Sequence, residues 1–122
     1  MSSCNCGNSN IKIIYACSGA SDVGSLSDLA ARKLRDEKIG AMSCLAAVGA
    51  GLSGFIESAK AADKCITIDG CPVACAKKNL EKIGVTPKSF IITEMGYEKG
   101  KTSINETTVN EAVSIIKNNI CG

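Results

Sequence analysis

The sequence predicts a single α/β domain in which helices cover both faces of a parallel sheet. Three observations predict it. Four apolar runs of strand length alternate with segments whose apolar residues recur at helical spacing. Within the runs apolar residues follow one another rather than alternate, which marks strands buried on both faces. The 122 residues suit one domain, and a 45% hydrophobic content can fill its core. That core must be aliphatic, because two Tyr, two Phe and no Trp are the whole aromatic supply. Four to five strands in the order 2-1-3-4 make the fold three-layered and flavodoxin-like or Rossmann-like.

The elements follow in order. Residues 1–10 read as a flexible polar tail carrying a Cys4-x-Cys6 pair, and residues 11–122 as one metal-binding domain. Ile11 to Ala16 is β-branched and aromatic, and stops at Cys17-Ser18-Gly19. Leu26, Leu29, Ala30, Lys33 and Leu34 then recur at helical spacing, with Ser25 and Asp28 as a capping-box start and Gly40 as a stop. A weaker strand covers Ala41 to Val48, followed by glycines and a helix over Gly54 to Ala62. Lys64 to Asp69 is the third strand, ended by Gly70. Pro72 stands at the expected first helical position of a helix running to Gly84, with Pro87 beyond. Ser89 to Thr93 is the fourth strand, and Gly96 to Glu106 an exposed loop with room for a short strand. The last helix spans about Val109 to Asn119. Its capping box is Thr108 with Glu111, and it carries Val109, Val113, Ile116 and Ile120 on one face.

Composition removes several functions. There is no histidine, so Ser-His-Asp and Cys-His catalysis and every imidazole-dependent zinc site are excluded. A net charge of +2, with Arg32 and Arg35 as the only arginines among fourteen basic residues, argues against a nucleic-acid partner. No apolar stretch reaches membrane-spanning length, and Met1 to Asn10 lacks the basic and apolar regions of a signal peptide. The expected location is the cytoplasm, where thiols stay reduced. Eight cysteines there point to metal binding or redox chemistry before disulfides. No histidine or well-placed carboxylate identifies a general base, so the sequence leaves open whether a bound metal is catalytic, with a non-enzymatic role the expectation.

Four cysteines fall at predicted strand ends. Cys17 follows the first strand, Cys44 lies within or at the end of the second, and Cys71 follows the third. Cys75 lies four residues beyond Cys71, in the first turn of the next helix. In an open parallel sheet these ends share one edge, where such folds bind ligands. An i, i+4 pair would also turn both sulfurs toward the positive end of the helix dipole. Cys65, between Lys64 and Ile66 in a strand, reads as core packing, and Cys121 as incidental. Cys4 and Cys6 are candidate additional ligands. Asp22 and Asp69 are candidate outer-shell carboxylates, although turn residues of this type also bond to backbone.

The segments Cys17-Ser18-Gly19-Ala20-Ser21-Asp22-Val23-Gly24, Met42-Ser43-Cys44-Leu45-Ala46 and Ile68-Asp69-Gly70-Cys71-Pro72-Val73-Ala74-Cys75 together resemble the DGC family. These are small bacterial and archaeal proteins to which zinc binding is ascribed, named for the motif seen here as Asp69-Gly70-Cys71. The resemblance spans nearly the whole chain. It implies a four-cysteine metal site at Cys17, Cys44, Cys71 and Cys75, and it says little about biological role.

Rival chemistries remain open at this level. Val48-Gly49-Ala50-Gly51-Leu52-Ser53-Gly54 contains a G-x-G-x-x-G, and Asp69 stands where a ribose-binding acid is expected, so Gly49, Gly51 and Gly54 are a candidate nucleotide or anion loop. Close helix–sheet packing explains the same glycines. A cysteine-phosphatase loop after Cys17 fails for want of a following Arg. A C-x3-C pair can cycle between dithiol and disulfide, and four thiolates also suit iron or an iron–sulfur cluster. Zinc leads on the resemblance and on its acceptance of a closed tetrahedral thiolate set. Lys77 and Lys78 either offset the charge of such a site or form an ordinary solvated helix face.

Overall fold

The computed structural model describes residues 11–120, so the tail with Cys4 and Cys6, and Cys121, lie outside the described residues. Every residue of β1 (Lys12–Ala16) is buried, and β1 runs parallel to β2 (Ala41–Met42) on one side and β3 (Lys64–Asp69) on the other. β4 (Lys88–Ile91) adds to β3, also parallel, giving the order β2-β1-β3-β4. The register pairs Ile13 with Ala41 and Cys65, and Ile68 with Phe90. Between and after the strands come α1 (Asp22–Asp36), α2 (Leu45–Gly49), α3 (Ser53–Ala61), α4 (Cys75–Lys82), a 3-10 turn (Ile92–Met95) and α5 (Glu106–Asn119).

Alternate strand residues serve two cores. Ile14, Ala16, Ile66 and Ile68 pack with Val23, Leu26 and Leu34 of α1 and Val113 and Ile116 of α5. Ile13, Tyr15 and Cys65 face the other way, onto Val48, Ala59 and Leu80 from α2, α3 and α4. Strands between two apolar layers have no solvent face, which is why their sequence does not alternate. The result is a three-layer α/β fold of Rossmann-like arrangement, as expected.

Several boundaries differ from expectation. The second strand has two residues rather than eight. The amide of Ser43 still donates to Ile14 O at 3.1 Å, and then Leu45-Ala46-Ala47 turns into helix. Alanine gains little from an edge strand and is the best helix former. α1 begins earlier than the Ser25–Asp28 box, because Ser21 caps it by accepting the Gly24 N–H at 3.2 Å. Its end is Asp36, before Gly40. Gly40 instead permits close approach, since a Cβ there would lie 3.0 Å from Lys12 O. α5 is capped by Asn105 and Thr108, each side chain accepting the other's amide at 3.0 Å, and not by Thr108 with Glu111. Residues 96–105 contain no strand.

Candidate functional site

All four predicted cysteines stand at the carboxyl edge of the sheet. Cys17 directly follows β1, and its amide donates to Ile68 O of β3 at 2.9 Å. Cys44 is two residues past β2 and precedes α2, Cys71 is two past β3, and Cys75 is the first residue of α4. Each is a free thiol. Cys17 and Cys71 are half-buried, while Cys44 and Cys75 are exposed. Cys65 contrasts with them: its buried thiol donates to Ala59 O at 3.3 Å, and burial pushes its pKa up.

The Cys71–Cys75 segment differs from the expected single helix face. Pro72 is not in the helix; residues 71–74 form a turn in which the Ala74 amide donates to Cys71 O at 3.0 Å. Ala74 has φ 55°, left-handed backbone that a residue with a Cβ rarely adopts. The amides at the start of α4 are taken by Asp69, whose Oδ1 accepts from Ala76 N at 2.7 Å and Oδ2 from Lys77 N at 3.1 Å. Burial raises the Asp69 pKa, against those two amides and the Lys77 charge. The positive end of α4 is thus met by the Asp69 carboxyl.

The glycine of Asp69-Gly70-Cys71 has its own task. A Cβ on Gly70 would lie 2.7 Å from the Gly24 amide nitrogen, and one on Gly24 would lie 2.8 Å from Gly19 O. The first turn of α1 therefore sits directly on the end of β3 and the turn after β1. Ser27, buried in α1, reinforces this: its hydroxyl stands within hydrogen-bond reach of the carbonyls of both Cys17 and Gly24 and donates its one proton to either.

Asp22 is equally committed. It accepts from the amides of Gly100 (2.9 and 3.0 Å), Thr102 (2.9 Å) and Val23 (2.8 Å), and the Gly100 and Thr102 bonds hold its carboxyl below the usual range. This clasp fastens the 96–105 loop to α1 and brings Lys99 Nζ to 3.9 Å from Cys71 Sγ. No sequence signal pointed to Lys99, which is separated from Cys71 by 28 residues and lies in an irregular loop.

Zinc binds thiolate sulfur at about 2.3 Å in a tetrahedron. The donors present fit that ion in kind, being four reduced thiols on one edge. Among the described residues, however, no three of His, Cys, Asp or Glu are gathered closely enough to hold a metal. The set is assembled by edge, not yet by distance.

The glycine loop differs from a dinucleotide fingerprint. It follows α2 rather than the expected strand: Gly49 ends α2, Gly51 turns the chain at φ 79°, and Gly54 lies in α3. A Cβ on Gly49 would press Asn79 Oδ1 at 3.2 Å, so that glycine serves contact between α2 and α4. No helix among the described residues is long and apolar enough to cross a membrane.

A family model, the DGC domain, matches residues 13–116. A Pseudomonas aeruginosa protein, the anaerobic and virulence modulator AnvM, is 32% identical over 90 residues, covering 73% of this chain and 69% of that protein. No solved structure matches the chain.

Proposed function

The chain belongs to the DGC family, and from that premise we propose that it is a small metal-binding protein which takes up Zn²⁺ through Cys17, Cys44, Cys71 and Cys75. One observation carries the reading. Four free thiols reach a single sheet edge by three different strands, while Cys65, which packs in the core, does not. To hold one ion, the four sulfurs would have to come closer together than they stand. Cys44 and Cys75 are exposed at helix starts and Cys71 sits in a turn, so short connecting segments rather than the sheet would adjust. Zinc ionises a coordinated thiol outright, so binding releases protons.

A binding role, for sensing, storage or delivery, accords with a relative named as a modulator. The cytoplasm, with its reducing conditions, is the compartment in which such thiols stay available. Asp22 and Asp69 shape the surroundings of the site through backbone amides and need not touch the ion.

The test is elemental analysis and an absorption spectrum of protein purified anaerobically. Colourless protein with one zinc per chain is expected. Cys71→Ser should lose most of that zinc, because a serine hydroxyl stays protonated near neutral pH. Cys65→Ser should keep it. Deleting residues 2–10 changes the stoichiometry only if Cys4 and Cys6 are ligands. Brown or red protein would replace zinc by iron or an iron–sulfur cluster. Metal-free protein with a reversible disulfide would make it a redox protein, and a nucleotide released on denaturation would move the site to the glycine loop.

A further inference from the structure

The chain holds twelve lysines and two arginines. Both arginines, one turn apart on α1, line the same cleft, of about 750 Å³, that Cys44 opens onto. A surface ion pair on a helix needs only a positive charge, and lysine supplies one. A planar fork of N–H donors is needed where a carboxylate or phosphate must be gripped at two oxygens.

Each guanidinium has a carboxylate partner on its own helix. Arg32 Nε donates to Asp28 Oδ2 at 2.8 Å, while Ser18 Oγ donates to Asp28 Oδ1, also at 2.8 Å. Arg35 donates to Asp36 Oδ1 through Nε (3.2 Å) and Nη2 (3.1 Å). Among the described residues these are the only bonds of the two side chains, so at least one Nη group on each keeps its donors. The cleft has an apolar wall as well. Phe55, 39% exposed, and Met42 line it beside Ser43.

From this combination we infer that the cleft is a binding site for a small organic oxyanion with an apolar body. Its oxygens meet Arg32 and Arg35, and its body lies against Phe55 and Met42, next to the Cys44 thiol. A phosphate ester and a carboxylate present the same oxygens to the forks. The inference does not rest on metal binding.

Titration of the reduced full-length protein with phenyl phosphate and with benzoate, followed by calorimetry and amide chemical shifts, tests it. At least one should bind saturably, shift Ser18, Ser43 and Cys44, and slow iodoacetamide labelling of Cys44. Saturation by phenyl phosphate alone identifies a phosphate ester, and by benzoate alone a carboxylate. Arg32→Gln and Arg35→Gln should each weaken binding by about tenfold, the scale of a lost charge-assisted bond. Arg32→Lys, which keeps charge but not the fork, should restore only part. Thermal melts of the variants, matching the parent, separate this from misfolding. No saturable binding of either probe by roughly 10 mM overturns the proposal. So does unchanged affinity in the glutamine variants, or shifts confined to the lysine-lined cleft of residues 59–65 and 83–88 at the opposite edge. Binding of inorganic phosphate as tight as that of phenyl phosphate overturns the apolar wall.

Discussion

At Gly70 a single hydrogen in place of a side chain decides how α1 meets the sheet. An added methyl would meet the backbone of Val23 and Gly24 at 2.7–2.8 Å, and backbone cannot swing aside as a flexible side chain can. Gly70→Ala should cost about 3 kcal/mol in urea unfolding, the upper part of the overpacking range. Cys65→Ser should cost less, about 1 kcal/mol, because the hydroxyl can keep the donation to Ala59 O while losing apolar contact. The tyrosines make a separate pH prediction. Burial and the Glu111 carboxylate push Tyr97 up to about 12, and burial also raises Tyr15. The unfolded chain then loses phenolic protons first, near pH 10. Stability is therefore full below that pH and falls as pH rises toward 12. A melting series above pH 9 should show the decline, and Tyr97→Phe should make it shallower.

Among the elements, the 96–105 loop depends most on one side chain. Three backbone amides from two segments converge on Asp22, so its carboxyl stays ionised below the usual range. The stabilisation is fully present above the ordinary carboxylate pKa and is lost as the pH falls through the lowered one. Asp22→Ala should remove hydrogen-exchange protection from the amides of Gly100 and Thr102 at neutral pH, and acid should do the same to the parent protein. Unchanged protection would show the loop to be held by other contacts. α5 offers a smaller, independent effect. Asn105→Ala, which breaks one half of its capping box, should cost about 1 kcal/mol.

In the molecule as a whole, the proposed metal site borders the apolar clusters rather than forming their centre, and of its four cysteines Cys71 alone packs, partly buried, against one of them. Ile14, Ile66 and Ile68 on one face of the sheet, and Ile13, Tyr15 and Leu80 on the other, are packed against apolar side chains. Chelator-treated protein should therefore keep its far-ultraviolet spectrum and a cooperative melt, unlike a zinc finger, which unfolds without metal. Zinc at a hundred times its Kd should then add about 2.7 kcal/mol. Loss of the cooperative melt on chelation would show that the ion supports the fold.

The parallel sheet, its strand order and the edge that carries the cysteines were legible in the chain. Two-sided burial leaves consecutive apolar residues, and parallel connection puts every strand's end on the same side. Pattern failed where it is short or where partners are distant. β2, at two residues, is too brief for periodicity to separate from the alanine-rich helix start that follows it. α4 begins at Cys75 rather than at Pro72 because Asp69, six residues upstream, supplies its cap from the end of β3. The approach of Lys99 to Cys71, the clasp at Asp22 and the close contact of Gly70 with Gly24 all join residues separated by dozens of positions. Local sequence determines which residues can be strand, helix or ligand. Which of them meet was decided only by packing α1 and the 96–105 loop against the sheet edge, since those contacts depend on atoms that the chain brings together only when folded.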